Sequence, residues 1–221
     1  MVSSRLNIIL ENVTTKKIAD IGTDHAYIPI ALTEKGIKVI ATDINPGPLE
    51  NARKNIERKG LAIELRLGAG LSAINLGECE EIIIAGMGGE LIQKILSDDL
   101  EKAYAARLLL QPMKQQAELR RFLLENGFEI VKEDLAKEGQ KIYNLIIARQ
   151  GNAKKPKREI DLHLPPALYK NPLFPELVQK KKREFSKQYN GLIKGRSANY
   201  AEKEHIKKLL SDTEFIESEI E

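Results

Sequence analysis

The sequence predicts an α/β fold in which a seven-stranded, mostly parallel sheet is followed by an antiparallel pair of helices. Between residues 18 and 150, strand-like and helix-like segments alternate, which is typical of parallel strands joined by right-handed helical crossovers. Several strand candidates are uninterrupted apolar runs, such as 82–85 and 108–110, as expected for strands covered on both faces. The last two strands flank a polar turn at 136–140 with no helix between them, which indicates an antiparallel hairpin at the sheet edge.

The elements of this fold can be placed in chain order. A short helix is expected at 3–12, because a serine can cap it and its leucines and isoleucines form one apolar face. The strands are expected at 17–21, 38–42, 63–67, 81–85, 107–111, 128–133 and 142–149. The helices between them are expected at 26–35, 47–59, 71–75, 89–96 and 115–126.

The first strand runs directly into a tight turn that would face a ligand. The strand ends at Asp20, and Gly22 allows the backbone to turn or a ligand to approach closely. The second strand ends at Asp43, 23 residues after Asp20, where an acid binds ribose hydroxyls in nucleotide-binding α/β units. The alternative is that both aspartates only cap helices, but their paired spacing favours a cofactor site.

The chemistry of this turn disfavours a pyrophosphate. A dinucleotide fingerprint carries three glycines, whereas this turn has one glycine followed by an acid, Asp24, which would repel a phosphate. A cofactor with a ribose and a cationic or zwitterionic tail, such as S-adenosylmethionine (SAM), suits both acids. His25 either orients Asp24 or the cofactor, or has a purely structural role.

Three further strands end in residues that would line the same edge of the sheet, because ligands bind beyond the carboxyl ends of parallel strands. The third strand is followed by the turn 68–70, and the fourth by a glycine cluster at 86–89 around Met87. The fifth strand ends at Gln111, whose amide is expected at the same rim. The glycine cluster is either a tight turn with Met87 as packing or, as we favour, a wall of the site.

The composition changes near residue 151, which divides the chain into an expected cofactor domain, 1–151, and a basic region, 152–221. Residues 151–171 are rich in proline and poor in apolar runs, which predicts a linker. Helical periodicity then appears at 172–195 and 199–219, with Gly195 as a helix stop. Residues 154–208 hold fifteen Lys and Arg against six Asp and Glu, a surplus that indicates a polyanion-binding surface rather than only a solvated helix face.

Composition places the protein among globular proteins of a reducing compartment. The chain has 221 residues with 42% hydrophobic residues, which is enough for a core, and one cysteine, Cys79, which excludes a disulfide framework. Neither a signal-peptide pattern nor an apolar run of membrane-spanning length is present, so a cytoplasmic protein without membrane association is expected. No Cys/His set has zinc-ligand spacing, so we expect no metal.

Four motifs in order carry a resemblance to a known family: DIGTDHAY at 20–27, IAGMGG at 84–89, LQP at 110–112 and KIY at 141–143. Together with the helical pair they resemble the bacterial tRNA (adenine-22-N1)-methyltransferase family, TrmK, over nearly the whole chain. The resemblance implies a Rossmann-like class I methyltransferase sheet and a protein that binds SAM and methylates N1 of adenine 22 in tRNA. We also expect a monomer. The sequence departs from the family at Ala69, where an aspartate often faces the adenine of SAM, and at Met113, where asparagine is frequent.

The resemblance also implies roles for individual residues. Asp24 and Tyr143 are expected to act on the base, Asp24 by compensating the charge that develops on the adenine and Tyr143 by framing the ring. The cofactor-binding set is Asp20, Gly22, Thr23, Asp24, His25, Asp43, Ile44, Asn45, Gly68, Ala69, Gly70, Gly86, Met87 and Gly88. The RNA-binding set is Arg5, Lys114, Lys180, Lys181, Lys182, Arg183, Lys194 and Arg196.

Two other functions remain open at the level of the sequence. A methyltransferase for a small molecule or a protein would need no tRNA and would give the basic helices no task. A non-catalytic RNA-binding protein with a methyltransferase fold would have no need to keep Asp20, Gly22 and Asp43. Fold alone does not separate these functions.

Overall fold

The structure is a computed structural model that describes residues 2–194 and 199–220. The chain forms two compact units, Met1–Lys154 and Lys155–Glu221. No helix within the described residues is both long enough and apolar enough to span a membrane.

The first unit contains the seven-stranded sheet, in the order β3-β2-β1-β4-β5-β7-β6. The five strands from β1 to β5 are parallel, and β7 runs antiparallel to both β5 and β6. Their bounds are β1 Lys17–Ile21, β2 Lys38–Asp43, β3 Glu64–Leu67, β4 Glu81–Ala85, β5 Arg107–Gln111, β6 Phe128–Glu138 and β7 Lys141–Gln150. The predicted Rossmann-like fold class is therefore confirmed.

The helices of the first unit are α1 Ser4–Asn12, α2 Tyr27–Thr33, α3 Pro46–Arg58, α4 Gly89–Asp98, α5 Leu100–Tyr104 and α6 Gln116–Glu125. Two details differ from the sequence prediction. The expected helix at 71–75 is a 3-10 turn, Gly70–Ala73, which begins at a glycine with φ of +53°. Helix α5 was not expected; it follows α4 after Asp99, whose φ of −152° interrupts the helix.

The hairpin at the sheet edge is longer than predicted. Strand β6 continues to Glu138 and β7 begins at Lys141, so the connecting turn is only Gly139 and Gln140, not 136–140. Leu135 and Ala136 are buried within this extension, where α1 packs against β6. A tertiary contact therefore extends the pairing into a segment whose local composition resembles a turn.

Successive residues of the central strands contribute to different hydrophobic clusters. Ile82 and Ile84 of β4 belong to one cluster, while Ile83 between them belongs to another. Because side chains alternate between the faces of a strand, this division shows that both faces of the sheet are covered. The continuous apolar runs of the sequence have this origin.

A buried ion pair connects α6 to the edge hairpin. Arg120 Nε donates to Glu133 Oε1 at 2.7 Å, and Arg120 Nη2 donates to Asn144 Oδ1 at 3.0 Å. Arg120 is 1% exposed and Glu133 is 8% exposed, so both charges are withdrawn from water. Burial raises the pKa of Glu133, and the guanidinium of Arg120 opposes that rise.

The second unit consists of two helices, α7 Phe174–Lys194 and α8 Tyr200–Ile220, and two 3-10 helices, Glu159–Leu162 and Pro166–Leu168. Lys182, close to the middle of α7, contacts Glu217, near the end of α8, at 2.6 Å, and the two helices are antiparallel as predicted. The expectation of a linker at 151–171 is wrong, because this segment contains both 3-10 helices. Its apolar side chains are buried: Ile160, Leu162, Leu164 and Leu168.

Candidate active site

The turn after β1 requires glycine at position 22 for two reasons. Gly22 has a φ of +82°, which side-chain-bearing residues rarely adopt. A Cβ at this position would also lie 2.1 Å from the methyl carbon of Met87. The backbone N–H groups of Gly22 and Thr23 both donate to the carbonyl oxygen of Thr42, each at 2.8 Å, which fixes the turn against the end of β2.

Beside this turn lies a cavity of about 330 Å³, which we call the glycine-lined cavity because Gly22, Gly68 and Gly70 line it. Strand ends and helix α4 form its walls, as the parallel sheet requires. Ile44 and Leu91 line it and are 63% and 49% exposed, so they offer apolar surface without a partner from this unit. The predicted residues in its wall are Gly22, Asp43, Ile44, Gly68, Ala69, Gly70 and Met87.

A second cavity of about 310 Å³, which we call the acidic cavity, adjoins the first. Both cavities are lined by Gly22, Asp43 and Met87, so Met87 lies at their junction. The acidic cavity also brings together the predicted residues Asp20, Thr23, Asp24, His25, Gly86 and Arg5. The arrangement offers one elongated ligand a path past Met87 from one cavity to the other.

The carboxylates in the acidic cavity differ in their exposure. Asp20 is 5% exposed, and burial raises its pKa from 3.8 to about 6, with nearby Asp43 adding to the rise and Thr23 opposing it. The side chain of Asp24 is 70% exposed, and its Oδ2 lies 3.4 Å from Nε2 of His25. Asp20 is therefore placed to meet a ligand inside the protein, and Asp24 to meet one that enters from solvent.

Helix α1 supplies the outer wall of the acidic cavity. Gln111 Nε2 donates to the backbone oxygen of Arg5 at 2.7 Å, and Gln111 is fully buried. Gln111 was expected to present its amide at the rim, but it lines neither cavity and instead holds α1 against the end of β5. The guanidinium carbon of Arg5 lies 5.9 Å from the centre of the Tyr143 ring. No ion pair joins Arg5 to Asp24 within the described residues.

The glycine cluster after β4 is a packing requirement as well as a wall. A Cβ on Gly89 would lie 2.4 Å from the backbone oxygen of Gln115, so α4 can begin here only with glycine. The N–H of Met113 donates to the oxygen of Met87 at 2.8 Å, which fixes the backbone of Met87. Gly88 lies beside the side chain of Lys114, which is exposed.

The remaining predicted residues have other surroundings. The N–H of Asn45 donates to Asp43 Oδ1 at 2.8 Å, so Asn45 orients that carboxylate at the start of α3. In the second unit, Lys181 contacts Glu184 at 2.8 Å and Lys182 contacts Glu217, whereas Arg183 and Lys194 are exposed. Lys180 lies 4.0 Å from Glu184. Arg196 lies outside the described residues.

Several lining residues have no signal in the sequence. Ile95, Lys94 and Asp98 line the glycine-lined cavity from α4, and Lys94 pairs with Asp98 at 2.9 Å. Their helical spacing is that of any amphipathic helix, so only the position of α4 beside the turn Gly70–Ala73 identifies them. A Cβ on Gly70 would lie 3.0 Å from Cγ2 of Ile95, which shows how closely the two elements approach.

Comparison with known proteins agrees with this geometry. A family model described as a methyltransferase domain matches residues 2–146. The tRNA (adenine(22)-N(1))-methyltransferase of Bacillus subtilis is 36% identical over 157 residues, a match that covers 68% of this chain and 66% of the Bacillus enzyme. The alignment thus spans slightly less than two thirds of that relative.

Two solved structures are similar over their whole length. Sp1610 of Streptococcus pneumoniae, described provisionally as a tRNA (m1A22) methyltransferase and solved in complex with S-adenosyl-L-methionine, is 32% identical with a TM-score of 0.85, and the match covers 98% of this chain and 100% of that one. TrmK of M. capricolum, in complex with S-adenosyl-homocysteine, is 26% identical with a TM-score of 0.83 and full coverage of both chains. The chain therefore belongs to the methyltransferase domain family and, within it, to the bacterial tRNA (adenine-22-N1)-methyltransferase family, TrmK.

Proposed function

We propose that this protein transfers a methyl group from SAM to N1 of adenine 22 in tRNA. The observation that carries the proposal is the exposed carboxylate of Asp24, which lies in a cavity that adjoins a nucleoside-sized cavity. The relatives named above are tRNA methyltransferases, and two solved relatives contain SAM or its product.

The residues present fit such a cofactor. Asp43, at the end of β2, is placed for the ribose hydroxyls, and Ile44 and Leu91 offer apolar surface for the adenine faces. The missing Cβ of Gly22 leaves room for the Met87 side chain, and both residues line the junction of the two cavities, which the chain of the cofactor would cross. Asp20 would accept a hydrogen bond from the cationic tail. Because Ala69 has no polar side chain, the adenine edge is left to backbone groups and to α4.

For this reaction the protein must hold the reacting atoms in position and stabilise the positive charge that develops on the adenine. When bound, SAM supplies an electrophilic methyl group, and adenine N1 already carries the lone pair that attacks it. The product ring is a cation, so a carboxylate near the ring stabilises the transition state. Asp24 would provide that charge or accept a hydrogen bond from the 6-amino group, His25 would orient Asp24, and Tyr143 would frame the base. The reacting atoms must be held about 3–3.5 Å apart.

Cofactor affinity is expected to fall in acid because Asp20 must be ionised to pair with the cationic tail. With the pKa of Asp20 at about 6, roughly one tenth of the carboxyl is ionised at pH 5, so the Kd for S-adenosylhomocysteine should rise about tenfold between pH 8 and pH 5. Calorimetry across this range measures the change. Asp20→Asn should bind weakly at both pH values, and an unchanged pH dependence in that variant would assign the effect to another group, such as Asp24, His25 or Asp43.

The same raised pKa has a defined effect on the free protein. The unfolded carboxyl ionises near 3.8 and the folded one near 6, so this group favours the folded state most below pH 3.8, and that contribution is lost as pH rises through 6. A bound cation would offset the resulting cost at neutral pH. Cofactor binding and stability are therefore linked through Asp20.

The second unit is the part that we assign to tRNA binding. Its exposed cations, among them Arg183 and Lys194, would contact phosphates, and adenine 22 would be extruded from the folded RNA at a cost of about a few kcal/mol. Binding should therefore weaken steeply with salt. We infer that the protein is a monomer and that it works in the cytoplasm, where its tRNA substrate is found.

Methyl incorporation from labelled SAM into bacterial tRNA tests the proposal. Nuclease digestion and mass analysis should give N1-methyladenosine at position 22, and a transcript with guanosine at that position should accept no label. Incorporation into a protein or small-molecule fraction with none into tRNA would instead indicate one of the other methyltransferases. Failure to bind SAM would indicate a non-catalytic RNA-binding protein.

A further inference from the structure

A groove outside the two cavities has no part in the function described so far. It has a volume of about 640 Å³, within the range of ligand pockets, and lies between α1, α2 and the end of α3. Its floor is apolar, formed by Val2, Leu6, Ile30 and Ala31. It shares Arg5, Leu6 and Tyr27 with the acidic cavity, so a ligand chain could pass from one to the other.

Two of the three cationic side chains that line the groove form no ion pair among the described residues. Arg58, at its α3 side, is exposed and donates to Asn55 Oδ1 at 3.1 Å, and it forms no ion pair in the part of the chain that the structure describes. The guanidinium of Arg5, at the side of the acidic cavity, likewise forms no ion pair among those residues, although the Arg5 backbone N–H donates to Oε2 of Glu138, which also lines the groove, at 3.4 Å. By contrast, Lys59 at the rim is neutralised by Glu34 at 3.0 Å.

Tyr27 divides the groove from the acidic cavity. Its side chain lines both, it is 57% exposed, and its ring lies 5.4 Å from that of His25. An exposed aromatic ring above an apolar floor is a stacking surface for a nucleobase, and an unpaired guanidinium at the rim is a partner for a phosphate. The groove thus combines the two features that recognise a single-stranded nucleotide.

We propose that this groove holds the nucleotide adjacent to the target adenine, with its base on the apolar floor beside Tyr27 and its phosphate on Arg58. The proposal rests on the proposed function and adds to it a second nucleotide subsite and a positioning residue, Arg58. A flipped adenine in the acidic cavity draws its neighbour along the same backbone, and the groove is where that neighbour would lie. Arg58 would then orient the RNA strand without touching the reacting atoms.

Arg58→Gln tests the proposal, with Arg53→Gln as its control. Arg53 lies on the same helix and is also exposed, but it pairs with Glu50 at 3.7 Å and lines no cavity described above. Loss of one phosphate contact should raise KM for tRNA about tenfold with kcat within about twofold, and lower the slope of log Kd against log salt by about 0.9. Arg53→Gln should change neither quantity.

A modified tRNA tests which phosphate Arg58 contacts. In tRNA with a neutral methylphosphonate at a phosphate next to adenine 22, the wild-type protein should lose about the same tenfold, and Arg58→Gln should lose nothing further. The subsite would be overturned if the effects of Arg58→Gln and of the methylphosphonate multiplied at both phosphates that flank adenine 22. Equal effects of Arg58→Gln and Arg53→Gln would also overturn it. Absence of N1-methyladenosine with the wild-type protein would instead overturn the proposed function, so the two failures are distinct.

Discussion

Asp24→Ala is expected to lower kcat for tRNA methylation about 10²–10³-fold while the Kd for S-adenosylhomocysteine changes little. The reason is that the side chain is 70% exposed and faces the acidic cavity, where the base would acquire positive charge. Asp20 and Asp43, which would hold the cofactor, stay in place. Single-turnover methylation with labelled SAM measures the rate of methyl transfer, and calorimetry with S-adenosylhomocysteine measures the Kd separately.

Asp24→Asn separates the two roles of that carboxylate. An amide oxygen still accepts a hydrogen bond from the 6-amino group but carries no charge, so activity close to that of Asp24→Ala would assign the effect to charge. Substantially retained activity would assign it to hydrogen bonding. Glu50→Ala, which removes a carboxylate that is 55% exposed on α3, is the matched control and should leave kcat unchanged. Full activity in Asp24→Ala would contradict the proposed role.

Arg120→Met is expected to destabilise the protein by about 3–5 kcal/mol, because it leaves the buried carboxylate of Glu133 without its partner. The hydrogen bond from Arg120 to Asn144 is lost as well, so a second buried polar group loses a donor. Urea denaturation followed by circular dichroism measures the change. Glu125→Gln, at an exposed position on the same helix, should change stability by no more than about 0.5 kcal/mol.

The double variant Arg120→Met/Glu133→Leu identifies the mechanism. If the uncompensated charge causes the loss, removing Glu133 as well should restore most of the stability, since an apolar pair of similar volume replaces the ion pair. Equal stabilities of the single and double variants would show that packing around α6 and not charge dominates. Because the pair joins α6 to β6, its loss should destabilise the edge hairpin more than the central strands.

The centre of the fold could be predicted from local sequence, because the central strands are buried on both faces. The consecutive isoleucines Ile82, Ile83 and Ile84 predict a strand that is covered on both faces, because successive side chains point to opposite faces and all three are buried. The edge hairpin was placed less well. Ala136 is buried in a hydrophobic cluster with residues of α1, and no local pattern predicts a contact between elements so distant in the sequence.

The segment predicted as a linker shows the converse error. Prolines at 165 and 166 correctly indicate that no long helix forms there, but they do not exclude short 3-10 turns. The leucines and isoleucine between 160 and 168 are spaced too irregularly for a helix or a strand, yet all four are buried. Irregular apolar residues between prolines thus describe a packed segment, which periodicity does not detect.

The candidate site was predictable where its residues follow strands directly. Asp20, Gly22 and Asp43 sit at strand ends, and parallel strands bring their carboxyl ends to one edge. The groove beside them was not predictable, because Arg5, Tyr27 and Arg58 lie on three helices. The packing of those helices places Glu34 in an ion pair with Lys59, while Arg58 forms only a hydrogen bond to Asn55 among the described residues.

The bond between Gln111 and Arg5 gives the protein an order of assembly. The two residues are 106 positions apart, so at about 5–20 residues per second the ribosome makes the anchor about 5–20 s after the helix it holds. During that interval α1, whose buried face includes Ile9, lacks β6 and β7, the strands against which it packs. The acidic cavity is thus among the last parts of the first unit to form, and a nascent chain that stalls before β5 would expose the apolar face of α1 to chaperones and would lack the α1 wall of that cavity.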